Sequence, residues 1–186
     1  MGRKENDLTV NDTWGTPKAI LDVIVRVLGP IGLDPCSHPD AIVPCATAIM
    51  LPGYPRASPC ADRTRTGDGL AISWDGYGLV FVNAPYSTLG LWGAKAAREG
   101  DEVVMFVPVR TGNVYWREGL GDADVEVRLP RVVHRGATTH APFHQWLLYY
   151  GARVEQALGL GALGDARVHP RHTSLLPDPE RRWKKT

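Results

Sequence analysis

The chain has 186 residues, 44% of them hydrophobic and 22% charged, and a formal net charge of +1. That length suffices for a single domain with a real core, and the near-neutral balance excludes a global basic field, leaving only a local patch for any polyanionic partner. The three cysteines contain no CxxC pair, which argues against a disulfide framework or a zinc ribbon and for free thiols in a reducing cytoplasm. The polar start Met1-Gly2-Arg3-Lys4 leads into no apolar signal region, and no apolar run approaches bilayer length, so a soluble protein is expected.

Residues 1–13 read as a flexible polar lead. Thr16-Pro17 is a helix start, with a hydroxyl cap followed by proline at the first helical position. From Lys18 to Leu28 the residues Ile20, Leu21, Val23, Ile24, Val27 and Leu28 make one apolar stripe, closed by Gly29. Ile31 to Asp34 is a short strand ending at Pro35. Residues 36–78 are broken by prolines at 39, 44, 52, 55 and 59 and form the least regular part, with a strand over 46–51. A connection that long is usually functional or mobile.

Leu79-Val80-Phe81-Val82 is a continuous apolar run, the pattern of a buried parallel strand. A helix is expected over 89–98, ended by Gly100, then an apolar strand over 102–107 and a short helix over 112–118. Residues 124–129 and 131–134 read as a hairpin turning at Pro130, and 143–150 as a late strand. From Asp165 onward the chain is rich in Arg and Lys and reads as a basic surface arm over 165–186. Helices alternating with apolar strands, then a hairpin, predict an α/β domain over 14–164 with a mostly parallel sheet and an antiparallel end.

The chemistry concentrates in Asn83-Ala84-Pro85-Tyr86, directly after the Leu79–Val82 run. Open α/β sheets bind ligands outside the carboxyl ends of their strands. The four residues offer an amide that accepts and donates, a backbone stiffened by proline, and an aromatic face. They suit a planar group carrying an exocyclic amine.

Further motifs accompany it in order: Trp14-x-Thr16-Pro17, Leu33-Asp34-Pro35-Cys36-Ser37, Asp68-Gly69-Leu70 with Trp74, Asn83-Ala84-Pro85-Tyr86-Ser87, and Val107-Pro108-x-Arg110-Thr111. Together they resemble the phage-type, Dam-like DNA N6-adenine methyltransferases, over most of residues 14–150. The resemblance implies a Rossmann-like class I methyltransferase sheet, S-adenosylmethionine as cofactor and DNA as partner, in a bacterial host's cytoplasm. It further implies that Asn83, Ala84, Pro85 and Tyr86 stand for the (Asp/Asn)-Pro-Pro-(Tyr/Phe) catalytic motif. Trp14, Thr16 and Pro17 would then border the cofactor's methionine end. Asp34, Pro35 and Ser37 would belong to the cofactor-binding first strand, and Asp68 to the adenosine portion. Tyr86, Ser87, Arg110 and Thr111 would meet the substrate.

The chain departs from the family pattern twice. Ala84 replaces the second-position proline, which loosens the loop but keeps a backbone carbonyl for the target amine. No GxG follows Asp34; Ser37 occupies that neighbourhood. Each motif also has a structural reading: Asn-x-Pro is a common turn, Trp14 can staple the helix behind it, and Arg110 can serve a salt bridge. Trp92 and Trp116 fit helix faces and read as core. His134, His140, His144, His169 and His172 show no metal-ligand spacing, so no metal is expected. The same tetrapeptide chemistry suits cytosine N4 or a protein glutamine amide, and a catalytically silent DNA-binding or decoy protein is the alternative from another class. Specificity would lie in the loops around 36–67 and 111–142.

Overall fold

Eight strands make one sheet: β1 (Ile31–Ser37), β2 (Cys45–Met50), β3 (Ala61–Thr66), β4 (Leu79–Val82), β5 (Glu102–Pro108), β6 (Val125–Arg128), β7 (Gln145–Gly151) and β8 (Asp165–Val168). This is a computed structural model, and it describes residues 15–51, 58, 60–99, 101–109, 119–135 and 137–168. The lead over 1–13, Trp14, Arg110, Thr111, the helix expected over 112–118 with Trp116, and residues 169–186 of the basic arm lie outside the described residues.

The strand order is β3-β2-β1-β4-β5-β7-β6-β8. Strands β1 to β5 pair in parallel; β7 runs antiparallel to β5 and β6, and β8 antiparallel to β6. The molecule is thus α/β, with a mostly parallel sheet and an antiparallel end. Among the described residues the α-helices are α1 (Lys18–Leu28), α2 (Leu89–Glu99) and the short α3 (Val154–Ala157), which runs into a 3-10 turn over Leu158–Leu163.

Successive strand side chains point to opposite faces, so an all-apolar strand feeds two cores. On one face Leu79 and Phe81 of β4, Val104 and Phe106 of β5, and Leu147 and Tyr149 of β7 pack against Ile20, Leu21 and Ile24 of α1. On the other, Val80, Val82, Val103, Met105 and Leu148 pack against Leu89, Trp92 and Ala96 of α2. Trp92 stacks on Trp74 at 6.2 Å between ring centroids, a core role as expected. Among the described residues no helix is long and apolar enough to cross a membrane.

The sequence expectations need correction at several points. Strand β1 does not stop at Pro35 but continues to Ser37; its ladder to β2 shifts register between Asp34 and Ser37, so the missing proline N–H falls where pairing is already irregular. Strand β3, within the segment read as irregular, is an edge strand whose sequence ADRTRT is largely exposed.

The hairpin about Pro130 does not form. Strand β6 pairs instead with the apolar β7 and with β8, while residues 129–134 leave the sheet. The arm boundary also moves, because Asp165–Val168 is the edge strand β8.

Candidate active site

Strand order runs outward from β1 to β2 and β3 on one side, and from β4 to β5 on the other. The reversal between β1 and β4 opens a crevice at their carboxyl ends, where doubly wound sheets bind ligands. A small cleft lies there, lined by Thr16, Asp34, Cys36, His38, Asn83 and the apolar stretch 41–43. Three residues singled out from the sequence, Thr16, Asp34 and Asn83, therefore converge from separate parts of the chain.

Each arrives by a local cause. Pro17, not Thr16, is the cap residue of α1; it is extended (φ −59°, ψ 138°), and its carbonyl accepts from the N–H of Ile20 at 3.0 Å. Thr16 therefore stands one residue outside cap geometry and makes no cap hydrogen bond, contrary to the expected hydroxyl cap. Its hydroxyl is buried and has no partner among the described residues. Asn83 is delivered by the end of β4. Ala84 and Pro85 behind it are buried, and Tyr86 opens a 3-10 turn over Tyr86–Thr88. Thr88 ties that turn to α2 by accepting from Trp92 Nε1 at 3.2 Å.

Asp34 is 3% exposed. Burial raises its carboxyl to about 6, against the lowering effect of the Ser37 hydroxyl and the Cys36 N–H and thiol. The Cys36 N–H donates to Asp34 Oδ1 at 3.2 Å. Burial and the neighbouring Asp34 push the Cys36 thiol well up, opposed by the backbone N–H of Asn83. Cys36 thus bridges the ends of β1 and β4. His38 is held below its ordinary value by burial, with Asp40 opposing.

Asp68 lies elsewhere. It is exposed, accepts the Leu70 N–H at 2.9 Å in a tight turn, and does not line the cleft. The turn nonetheless packs on β1: a Cβ at Gly69 would stand 1.8 Å from the Pro35 carbonyl oxygen. Pro35 and Ser37 flank Asp34 without lining the cleft, Pro17 is half-buried, and Ser87 is exposed.

Cys36 and His38 line the cleft but were not among the site residues read from the sequence. Cys36 lay inside a quoted motif, and His38 carried no separable signal. Gln145, a buried polar residue opening the otherwise apolar β7, was not singled out either. Among the described residues no group of three or more metal-ligating side chains gathers. No protein-family model matches the chain, and a search of curated proteins finds no match.

Proposed function

We propose that the chain is a Dam-like DNA adenine methyltransferase with a Rossmann-like class I sheet. It transfers a methyl group from S-adenosylmethionine to N6 of adenine in the cytoplasm of a bacterial host. The observation that carries the reading is the meeting of Thr16, Asp34 and Asn83 in one cleft at the β1/β4 reversal. The antiparallel β7 beside β5 agrees with the antiparallel end that the pattern of helices and strands predicts.

The residues present fit the cofactor. A buried carboxyl and a buried hydroxyl with no partner among the described residues suit a ligand bearing both positive charge and hydrogen-bonding groups. Thr16 and Asp34 would hold its methionine end, with β1 as the floor. When bound, S-adenosylmethionine supplies a methyl group already activated on a sulfonium.

The chain's own task is then alignment and stabilisation of charge building on the target nitrogen. The side-chain carbonyl of Asn83 and the backbone carbonyl of Ala84 accept the two amine hydrogens and turn the nitrogen lone pair toward the methyl. Asn serves here because its oxygen accepts while its NH2 is available for anchoring. Tyr86 stacks on a base turned out of its duplex, worth about 1–3 kcal/mol. No strong general base is needed.

The test is incubation of purified protein with labelled S-adenosylmethionine and unmethylated DNA, followed by digestion to nucleosides. Label in N6-methyladenine is expected. Label in N4-methylcytosine, or in a protein glutamine, reassigns the acceptor. Cofactor binding without any label in single- or double-stranded DNA overturns the reading, and absence of cofactor binding favours the silent DNA-binding protein.

A further inference from the structure

Behind the tetrapeptide lies a buried polar relay that the proposed chemistry does not use. Gln145 is 0% and His134 1% exposed. Gln145 Nε2 donates to the Tyr86 hydroxyl oxygen at 3.2 Å and stands 2.7 Å from His134 Nε2. An amide nitrogen carries two hydrogens, enough for the phenol oxygen and for the acceptor nitrogen of a neutral imidazole. Burial keeps His134 on the neutral side, with the Gly15 carbonyl opposing.

The imidazole is itself packed against Phe106 at 5.5 Å. Its neighbour Arg135 pairs with Gly15, the residue before Thr16, through an N–H···O bond of 3.0 Å. On its other side the Tyr86 ring meets Phe143 edge-on at 5.9 Å and 68°.

Gln145 Oε1 is buried without a partner among the described residues. Its polar contacts among those residues are made by the amide nitrogen. The gain lies in the two N–H contacts, one of them to Tyr86.

We propose that Gln145, oriented by His134, is a positioning residue that fixes the Tyr86 ring for the extruded base. The relay holds the phenol from behind while Phe143 limits its rotation, so the ring is preorganised before the base arrives. This role rests on the methyltransferase reading for its substrate, but the contact itself does not.

The experiment has two arms on the full chain. With tyrosine labelled at the ring carbon bearing oxygen, the Tyr86 NMR signal is assigned by its loss in Tyr86→Phe. Gln145→Met is expected to shift that signal while the melting temperature stays near wild type. In methyl transfer, Gln145→Met is expected to lower kcat/KM for DNA about tenfold with the cofactor KM unchanged, and to cost nothing more in the Tyr86→Phe background.

An unmoved Tyr86 signal overturns the contact. Equal losses in the wild-type and Tyr86→Phe backgrounds overturn the positioning role. A wild-type protein that methylates no DNA defeats the methyltransferase reading alone, and the NMR arm still decides the contact.

Discussion

Asn83 and Asp34 sit in the same cleft, and the proposed mechanism gives them opposite electrical tasks, each separately testable. In that proposal Asn83 stays neutral and would act through one carbonyl. Asn83→Ala is expected to lower methyl transfer at least 100-fold, the scale of losing one preorganised polar contact in a closed site, while cofactor affinity changes little. Equilibrium binding beside initial rates separates the two effects.

Asp34 is strained by burial, which raises it to about 6. Between about pH 4, the usual carboxylate value, and pH 6 the folded chain keeps a proton that the unfolded chain has released. Stability of the ligand-free protein therefore falls as pH rises across that window and is flat above it, a loss of about 3 kcal/mol. Thermal melts against pH should show this slope in wild type and lose it in Asp34→Asn. A cationic ligand favours the carboxylate, so cofactor affinity should weaken roughly tenfold per pH unit below 6, and this dependence should also vanish in Asp34→Asn.

At the scale of elements, the cleft depends on how the end of β1 is held. The turn after β3 presses Gly69 against Pro35, leaving no room for a Cβ, and Trp74 Nε1 donates to the Gly69 carbonyl at 3.0 Å. Gly69→Ala must move one backbone or the other. A loss of about 1–3 kcal/mol in denaturant unfolding is expected, with weaker cofactor binding because Asp34 moves with β1.

The same region marks the limit of what the sequence discloses. The α1 stripe and the runs that form β4 and β5 were legible because each carries an unbroken apolar pattern bounded by turn residues. Strand β3 was not: ADRTRT lies on an exposed edge, so no burial wrote a hydrophobic pattern into it. The partner of β6 was misread because Pro130 imitates a turn, whereas the pairing is decided by β7, far along the chain, with two buried faces to cover. Thr16 was legible as lying at the start of α1 but not in its exact place; a cap and a hydroxyl outside the cap use the same residue type, and only the extended Pro17 distinguishes them.

Over the whole molecule, one sheet between two apolar layers fixes the distance between the ends of β1 and β4, and with it the cleft. Trp92 belongs to that frame: it is 2% exposed and stacked on Trp74. Trp92→Ala should cost about 3–5 kcal/mol in unfolding free energy by opening a cavity, and its nearness to Thr88 should loosen the tetrapeptide as well. The alternation of helical and apolar strand patterns foretold the α/β class, and Thr16, Asp34 and Asn83, from three separate motifs, line one cleft. Nothing in those patterns foretold Gln145, which reaches Tyr86 from β7, or His134, which meets Gln145 from a loop whose course depends on long-range pairing.

The central claim, methylation of adenine N6 in DNA, is tested most directly by nucleoside mass spectrometry. The DNA is taken from methylation-deficient bacterial cells expressing the wild-type protein or Asn83→Ala. N6-methyladenine with wild type and none with Asn83→Ala is the predicted result. Its absence from both, with folded protein recovered from each, contradicts the account.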